Sequence, residues 1–181
     1  MSDQTNEAAE IITDYFGVKG RFSGYSPEGM SASVYPQALA DFLRGVDQGL
    51  QQVTVALLLD YAMDGDHPFS KASAHDCFEL VLRGLSPAFA PHVQKIMKWL
   101  EDGLRAGWWT TDAMYESAPM QARNVISLIN VLWCCDENSA AAITKTLISQ
   151  TTSKELKDSL SRSKLLPQVR KAVLGPDKNS G

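Results

Sequence analysis

Apolar residues along this chain return every three or four positions, and nowhere do they alternate over enough residues to build a strand. Leu39, Phe42, Leu43 and Val46 make one such stripe, and Phe89, Val93, Ile96, Met97 and Leu100 make another. That periodicity predicts an all-α fold: a compact bundle of seven to nine helices with short connections. With 181 residues, 44% of them hydrophobic, the chain can bury a core unaided by disulfides. Its three cysteines, two of them the adjacent Cys134 and Cys135, make no disulfide framework and predict a reducing compartment.

Glycine, proline and capping residues divide the pattern. Residues 4–16 predict a short helix with Ile11, Ile12, Tyr15 and Phe16 on one side. The stretch GVKGRFSGYSPEGMSAS, residues 17–33, holds four glycines and a proline and predicts a flexible linker, so 1–33 reads as an N-terminal segment. The helical core domain is then expected at 34–152, opening near Val34 with Pro36 in a first turn. QQVTVALLLDYAM is apolar nearly all round and predicts the most central helix. Gly65 and Pro68 end it. Ser70 is read as the cap of SKASAHDCFELVLRG, with Cys77, Phe78, Leu80, Val81 and Leu82 as its buried side and Gly84 as terminator. Ser86-Pro87 opens the next helix, MQARNVISLINVLWCC and AAAITKTLIS supply two more, and Trp99 and Trp133 fit core positions. Residues 153–174 predict a basic helical segment interrupted by Pro167, and 175–181 a disordered tail.

Charge is unevenly spread. Residues 1–153 carry 10 Lys/Arg against 18 Asp/Glu, whereas residues 154–181 carry 7 against 3. An acidic body argues against broad contact with phosphate backbones. Lys154, Lys157, Arg162, Lys164, Arg170 and Lys171 are the candidate nucleic-acid-binding residues; they could instead meet an acidic partner or simply solvate a last helix, the usual role of a charge run. The polar opening MSDQTNEAAE predicts no signal or transit peptide, and the apolar run Val53–Leu59 is far short of a membrane span. The expected location is the cytoplasm, without membrane contact.

Residues fit for bond-making are few. His67, His75 and His92 have no partner ligands at helical spacing and no CxxC exists, so no metal and no cofactor is expected. The acidic turn Asp60, Asp64, Gly65, Asp66 fails as a calcium loop, because Ala62 and Lys71 fall where ligands belong; it reads as a helix cap. No GxSxG, GxxxxGK[ST] or GxGxxG motif is present. Cys77 lies two residues from His75, about 200° round a helix, so the two cannot form a dyad there. No catalytic residue is expected.

Aromatic residues crowd KWLEDGLRAGWWTTDAMY. Adjacent residues point apart, so either one of Trp108 and Trp109 reaches the surface or both pack under a loop. An exposed indole beside Arg105, with Met114 and Tyr115 near, suits a proline-rich or amphipathic peptide, because flat rings bury area at little entropic cost.

The order of short words is also informative. ALL follows from Ala56, then Phe69-Ser70-Lys71, Cys77 with Glu79, LRGL from Leu82 to Leu85, and Ala90-Pro91 with Val93. Leu100 with Asp102, Ala113-Met114-Tyr115, Arg123, Ile129-Asn130 with Leu132, and ENSAAAITKTLI complete the succession. Over roughly residues 35–150 this resembles the C-terminal domain of the filovirus transcription activator, the minor nucleoprotein related to the pneumovirus transcription antiterminator. The resemblance implies an all-helical, non-enzymatic domain that dimerises and docks a proline-rich segment of the viral nucleoprotein in a shallow cleft. Tyr115 would take the place of an aromatic lining that cleft, with Met114 and Arg123 nearby. The chain departs from the family in having neither its CCCH zinc finger nor the accompanying basic RNA-binding region. Helical-repeat domains of translation-initiation factors share the phrase around Ser86-Pro87-Ala88-Phe89 almost as well.

The expected function is a non-enzymatic, homo-oligomeric protein-interaction domain, on the resemblance a viral nucleocapsid-associated transcription or assembly cofactor. The alternatives are an RNA-binding accessory protein using the basic C-terminal segment and a cellular helical-repeat adaptor.

Overall fold

The computed structural model describes residues 3–24, 34–107 and 124–150, together with Lys171. Every regular element among them is helical, as the apolar period predicts. In chain order these are α1 (Asp3–Gly17), α2 (Val34–Arg44), α3 (Gln48–Met63), α4 (Ser70–Leu80), α5 (Ser86–Phe89), α6 (Val93–Arg105), α7 (Val125–Cys135) and α8 (Glu137–Gln150).

The helix that is apolar nearly all round is the central one. α3 lies against α1, α4 and α5; α4 in turn meets α2 and α7, and α7 packs on α6 and α8. Asp47 begins α3, its carboxylate accepting a bond from the Leu50 N–H at 3.1 Å. Asp64 ends it, and the Asp66 N–H donates to the Asp64 side chain at 3.1 Å, so the acidic turn is a cap. Asp136 likewise starts α8, accepting from the N–H groups of Asn138 and Ser139. Ile11, Ile12, Leu39, Leu43, Leu58, Leu59, Leu80, Phe89, Ile96 and Leu100 are among the fully buried side chains of one continuous core.

From Ser70 to Arg105 helical turns follow one another with a kink at Arg83 and Gly84 and no intervening loop. A wide π turn at Val81–Leu85 joins α4 to α5, and a 3-10 turn at Ala90–His92 joins α5 to α6. Counted as unbroken runs longer than a single 3-10 turn, the described residues hold six, slightly below the seven to nine expected. Gly84 causes the merger. It breaks the helical path as predicted, but at φ +88° it turns the chain directly into the next helix without a loop.

Three local expectations differ from the structure. Ser70 is the first residue of α4, and Phe69 holds the cap position. The Ser70 hydroxyl donates to the Ala62 carbonyl at 3.3 Å and accepts from the Asn124 amide at 2.7 Å, and that amide also donates to Ala62 O at 2.7 Å. Ser70 thus ties the end of α3 to the start of α7. Leu82 is 49% exposed, because the π turn directs Val81 and Leu85 inward and rotates Leu82 out.

The third difference concerns where the body begins. α1 packs along α3 with Ala8, Ile11, Ile12 and Tyr15 buried, so the fold includes residues from Asp3 onward. Gly17 to Phe22 turn back on the helix instead of leading away from it. Gly20 (φ +52°) sits so close to Asp14 that an added Cβ would fall 2.3 Å from its carboxylate oxygen. That tight return seats Phe22, 2% exposed, with its ring edge-on to Tyr15 and Phe42 at 5.5 and 5.9 Å. Glycines that resemble a linker in composition here make a close contact. Residues 25–33 of the expected linker lie outside the described residues, as do 153–174, Lys171 excepted, and 175–181.

Candidate functional site

Side chains from α1, α2 and α4 enclose a cleft of about 660 Å³. α1 contributes Tyr15 and Phe16, with Val18 just beyond its end; α2 contributes Tyr35; Pro68 and the α4 residues Lys71, Ala72, His75 and Asp76 form the opposite wall. The elements converge because Ile11, Ile12 and Tyr15 bind α1 to the core, leaving Phe16, the next residue round the helix, at the boundary. Val18 holds φ +49°, a left-handed conformation that a β-branched side chain seldom adopts. The Lys19 N–H closes that turn onto the Asp14 carbonyl at 3.0 Å.

The floor is polar. Asp76 is 6% exposed, and the Tyr15 hydroxyl donates to its Oδ2 at 3.1 Å. Its Oδ1 lies 3.6 Å from Nδ1 of His75, beyond hydrogen-bond reach. Burial raises the Tyr15 phenol well above its usual value, and the Asp76 charge and hydrogen bond raise it further. The phenol is therefore a firmly held proton donor.

Around the mouth the aromatic surface continues. Phe16 stacks on Phe69 with centroids 4.3 Å apart and planes 1° from parallel, and Phe69 is 41% exposed. A second depression of about 260 Å³ shares Phe16 and includes Tyr61, His67 and Phe69. There His67 stacks on Tyr61 at 3.7 Å, and its Nδ1 accepts from the Phe69 N–H at 3.2 Å. The Phe16–Phe69 stack is thus the ridge between two adjoining hollows.

Of the residues expected to bind peptide, Trp108, Trp109, Met114, Tyr115 and Arg123 lie outside the described residues. Arg105 is exposed at the end of α6, where its guanidinium pairs with Asp102 at 3.0 Å. It borders a small hollow with Glu101, Leu104 and Gln150. Of the basic residues expected to bind nucleic acid, Lys154, Lys157, Arg162, Lys164 and Arg170 lie outside the described residues, and Lys171 is helical and exposed. Trp99 and Trp133 pack half-buried against the core, and the Trp99 indole donates to the Met63 carbonyl at 3.2 Å.

Among the described residues no group of three or more His, Cys, Asp or Glu is placed to hold a metal ion, and no helix is long and apolar enough to cross a membrane. Burial raises all three thiols, Cys135 to about 12, with its neighbours Cys134 and Asp136 adding to the shift. None is primed as a thiolate nucleophile. Cys77 is fully buried whereas the His75 side chain is 57% exposed, the separation that their spacing on one helix requires.

The cleft residues Tyr15, Phe16, Tyr35, Lys71 and Asp76 carry no motif. One signal was available in the sequence: Asp76 sits beside Cys77 and three residues after Ser73 on a helix face otherwise made of small and apolar residues. A carboxylate at that position needs a partner from elsewhere in the fold. No family model, curated protein or solved structure matches this chain.

Proposed function

We propose that this chain is a non-enzymatic protein-interaction domain that docks a peptide segment in the cleft between α1, α2 and α4. One observation carries the reading: an open aromatic cleft of about 660 Å³ is lined by Tyr15, Phe16 and Tyr35, and Phe16 stacks on the exposed Phe69 ring beside it. Volume and lining of this kind suit an extended or helical segment anchored by one or two side chains. Tyrosine and phenylalanine contribute contact area with few rotamers to freeze. On the resemblance to the filovirus transcription activator, the docked segment is a proline-rich stretch of a nucleoprotein, the domain acts as a homo-oligomer, and the Trp108, Trp109 and Tyr115 window is a second docking surface.

Titration of proline-rich and amphipathic helical peptides, read by tryptophan fluorescence and by the ring shifts of Tyr15 and Tyr35, tests the reading. Tyr35→Ala is expected to weaken binding about tenfold, as loss of an aromatic anchor does. Binding that survives Tyr35→Ala and Phe16→Ala but is lost in Trp108→Ala, Trp109→Ala or Tyr115→Ala moves the site to that window. No binding by either peptide class removes the docking function.

A further inference from the structure

The turn between α3 and α4 contains a bond that only an uncharged imidazole can accept. The Phe69 N–H donates to Nδ1 of His67 at 3.2 Å, so Nδ1 holds no proton and Nε2 holds one. Backbone bonds fix His67 on both sides: its N–H donates to the Asp64 carbonyl at 3.1 Å, and its carbonyl accepts from the Ser70 N–H at 3.0 Å. The ring lies on Tyr61, with centroids 3.7 Å apart and planes 19° from parallel. Phe69, at the cap position of α4, stacks its own ring on Phe16 of α1 at 4.3 Å. The ridge between the two hollows is thus tied, through one N–H, to an imidazole, the side chain whose charge changes in the physiological pH range.

We infer that His67 is a pH-operated latch on the Phe16–Phe69 ridge: the neutral ring holds Phe69 in place, and protonation releases it. A proton added at Nδ1 turns the acceptor into a donor, and two N–H groups cannot share the 3.2 Å between them. An imidazolium is drawn to the face of an aromatic ring, so the stack on Tyr61 keeps the charged ring where it is and the displacement falls on Phe69. Phe69 has room to yield, being 41% exposed. Tyr61 of α3 and Lys19, just past the end of α1, line the hollow with His67, and Asp64 and Asp66 stand in its own turn. Lys71 of α4 lines the neighbouring cleft across Phe16. Carboxylates, amines and phenols ordinarily hold their charge across the histidine range, which leaves the imidazole as the switching group. Because Phe16 lines both hollows, loss of its stack reshapes both at once.

The test follows the full chain by NMR from about pH 8 to 5, the span in which imidazoles gain their proton. The Phe69 amide signal is expected to shift with the same midpoint as the His67 ring signals, and cross-relaxation between the Phe16 and Phe69 rings to be lost. His67→Asn is the control, because an asparagine side chain accepts from the N–H two residues on and has no proton to gain in this range. In that variant the Phe69 amide and the ring contact are expected to stay constant, with His75 and His92 retained as internal references. A Phe69 amide and ring contact that stay fixed in the parent chain, or that change as much in His67→Asn, overturn the latch. Should the variant not fold, the parent chain decides by itself: a Phe69 midpoint that follows His75 or His92 in place of His67 overturns the latch equally.

Discussion

Tyr15 shows how one residue links core and cleft. Its ring packs against Phe22, Phe16 and Tyr35, while its hydroxyl supplies the bond to Asp76. Replacement by phenylalanine keeps the packing and removes the donor, at an expected cost of about 1–2 kcal/mol near neutral pH for leaving Asp76 less satisfied. A pH dependence follows as well. The folded state holds the Tyr15 proton above the ordinary value of 10.0, so the unfolded chain releases it first as pH rises. Its contribution is fully present below about pH 10 and declines at higher pH, with a slope of up to about 1.4 kcal/mol per pH unit. Urea unfolding between pH 8 and 11 should show a shallower alkaline decline in Tyr15→Phe than in the parent chain; parallel declines would reject the assignment. The partnership itself was illegible in the sequence. Both residues are visible there, but they stand 61 positions apart, and local pattern says nothing about which carboxylate a distant phenol will meet.

At the scale of elements, glycine was read correctly as punctuation and incorrectly as slack. The helical path breaks at Gly84 as the sequence predicts, but the break is a kink at Arg83 and the left-handed Gly84, four residues past the end of α4 and with no loop after it. A Cβ at Gly84 would meet nothing within 4 Å, so an alanine there suffers from backbone conformation alone. Gly84→Ala is expected to lower stability by about 1–2 kcal/mol, the cost of a left-handed L-residue. Thermal unfolding checks this, and an unchanged Tm would show that the turn relaxes to ordinary helix. In the described part of the expected linker, residues 17–24, the chain turns tightly for a related reason. Glycine enrichment signals conformational freedom in the unfolded chain, yet at Gly20 that freedom is used for a left-handed turn against Asp14, where an added Cβ would force the carboxylate aside. Composition registers the glycine in both settings and cannot separate a hinge from a tight contact.

For the whole molecule, the consequence is that α1 and the turn after it belong to the cooperative unit. If residues 1–33 were an appendage, changes there would leave the body's stability untouched. Phe22 instead joins the ring cluster of Tyr15 and Phe42, and α1 covers one side of α3. Phe22→Ala is expected to cost about 3–5 kcal/mol, as deletion of a buried aromatic does, and to do so within a single unfolding transition. A shift much smaller than that, or a separate early transition, would restore the appendage view. The same integration places the cleft, since its walls come from residues on both sides of the expected boundary at Val34.

Local physics accounts for what the residue order alone established. Helix spans, the all-round apolar character of α3, the cap at the Asp64 turn and the break at Gly84 depend on neighbours within a few positions, and apolar period and turn residues report them directly. Tertiary packing alone decided that Ser70 would bridge α3 and α7, that Phe22 would be core, and that Asp76 would meet the Tyr15 hydroxyl of α1. Each of these depends on contacts between residues far apart along the chain. Their energy comes from buried area and paired charge at that meeting, which no local repeat encodes.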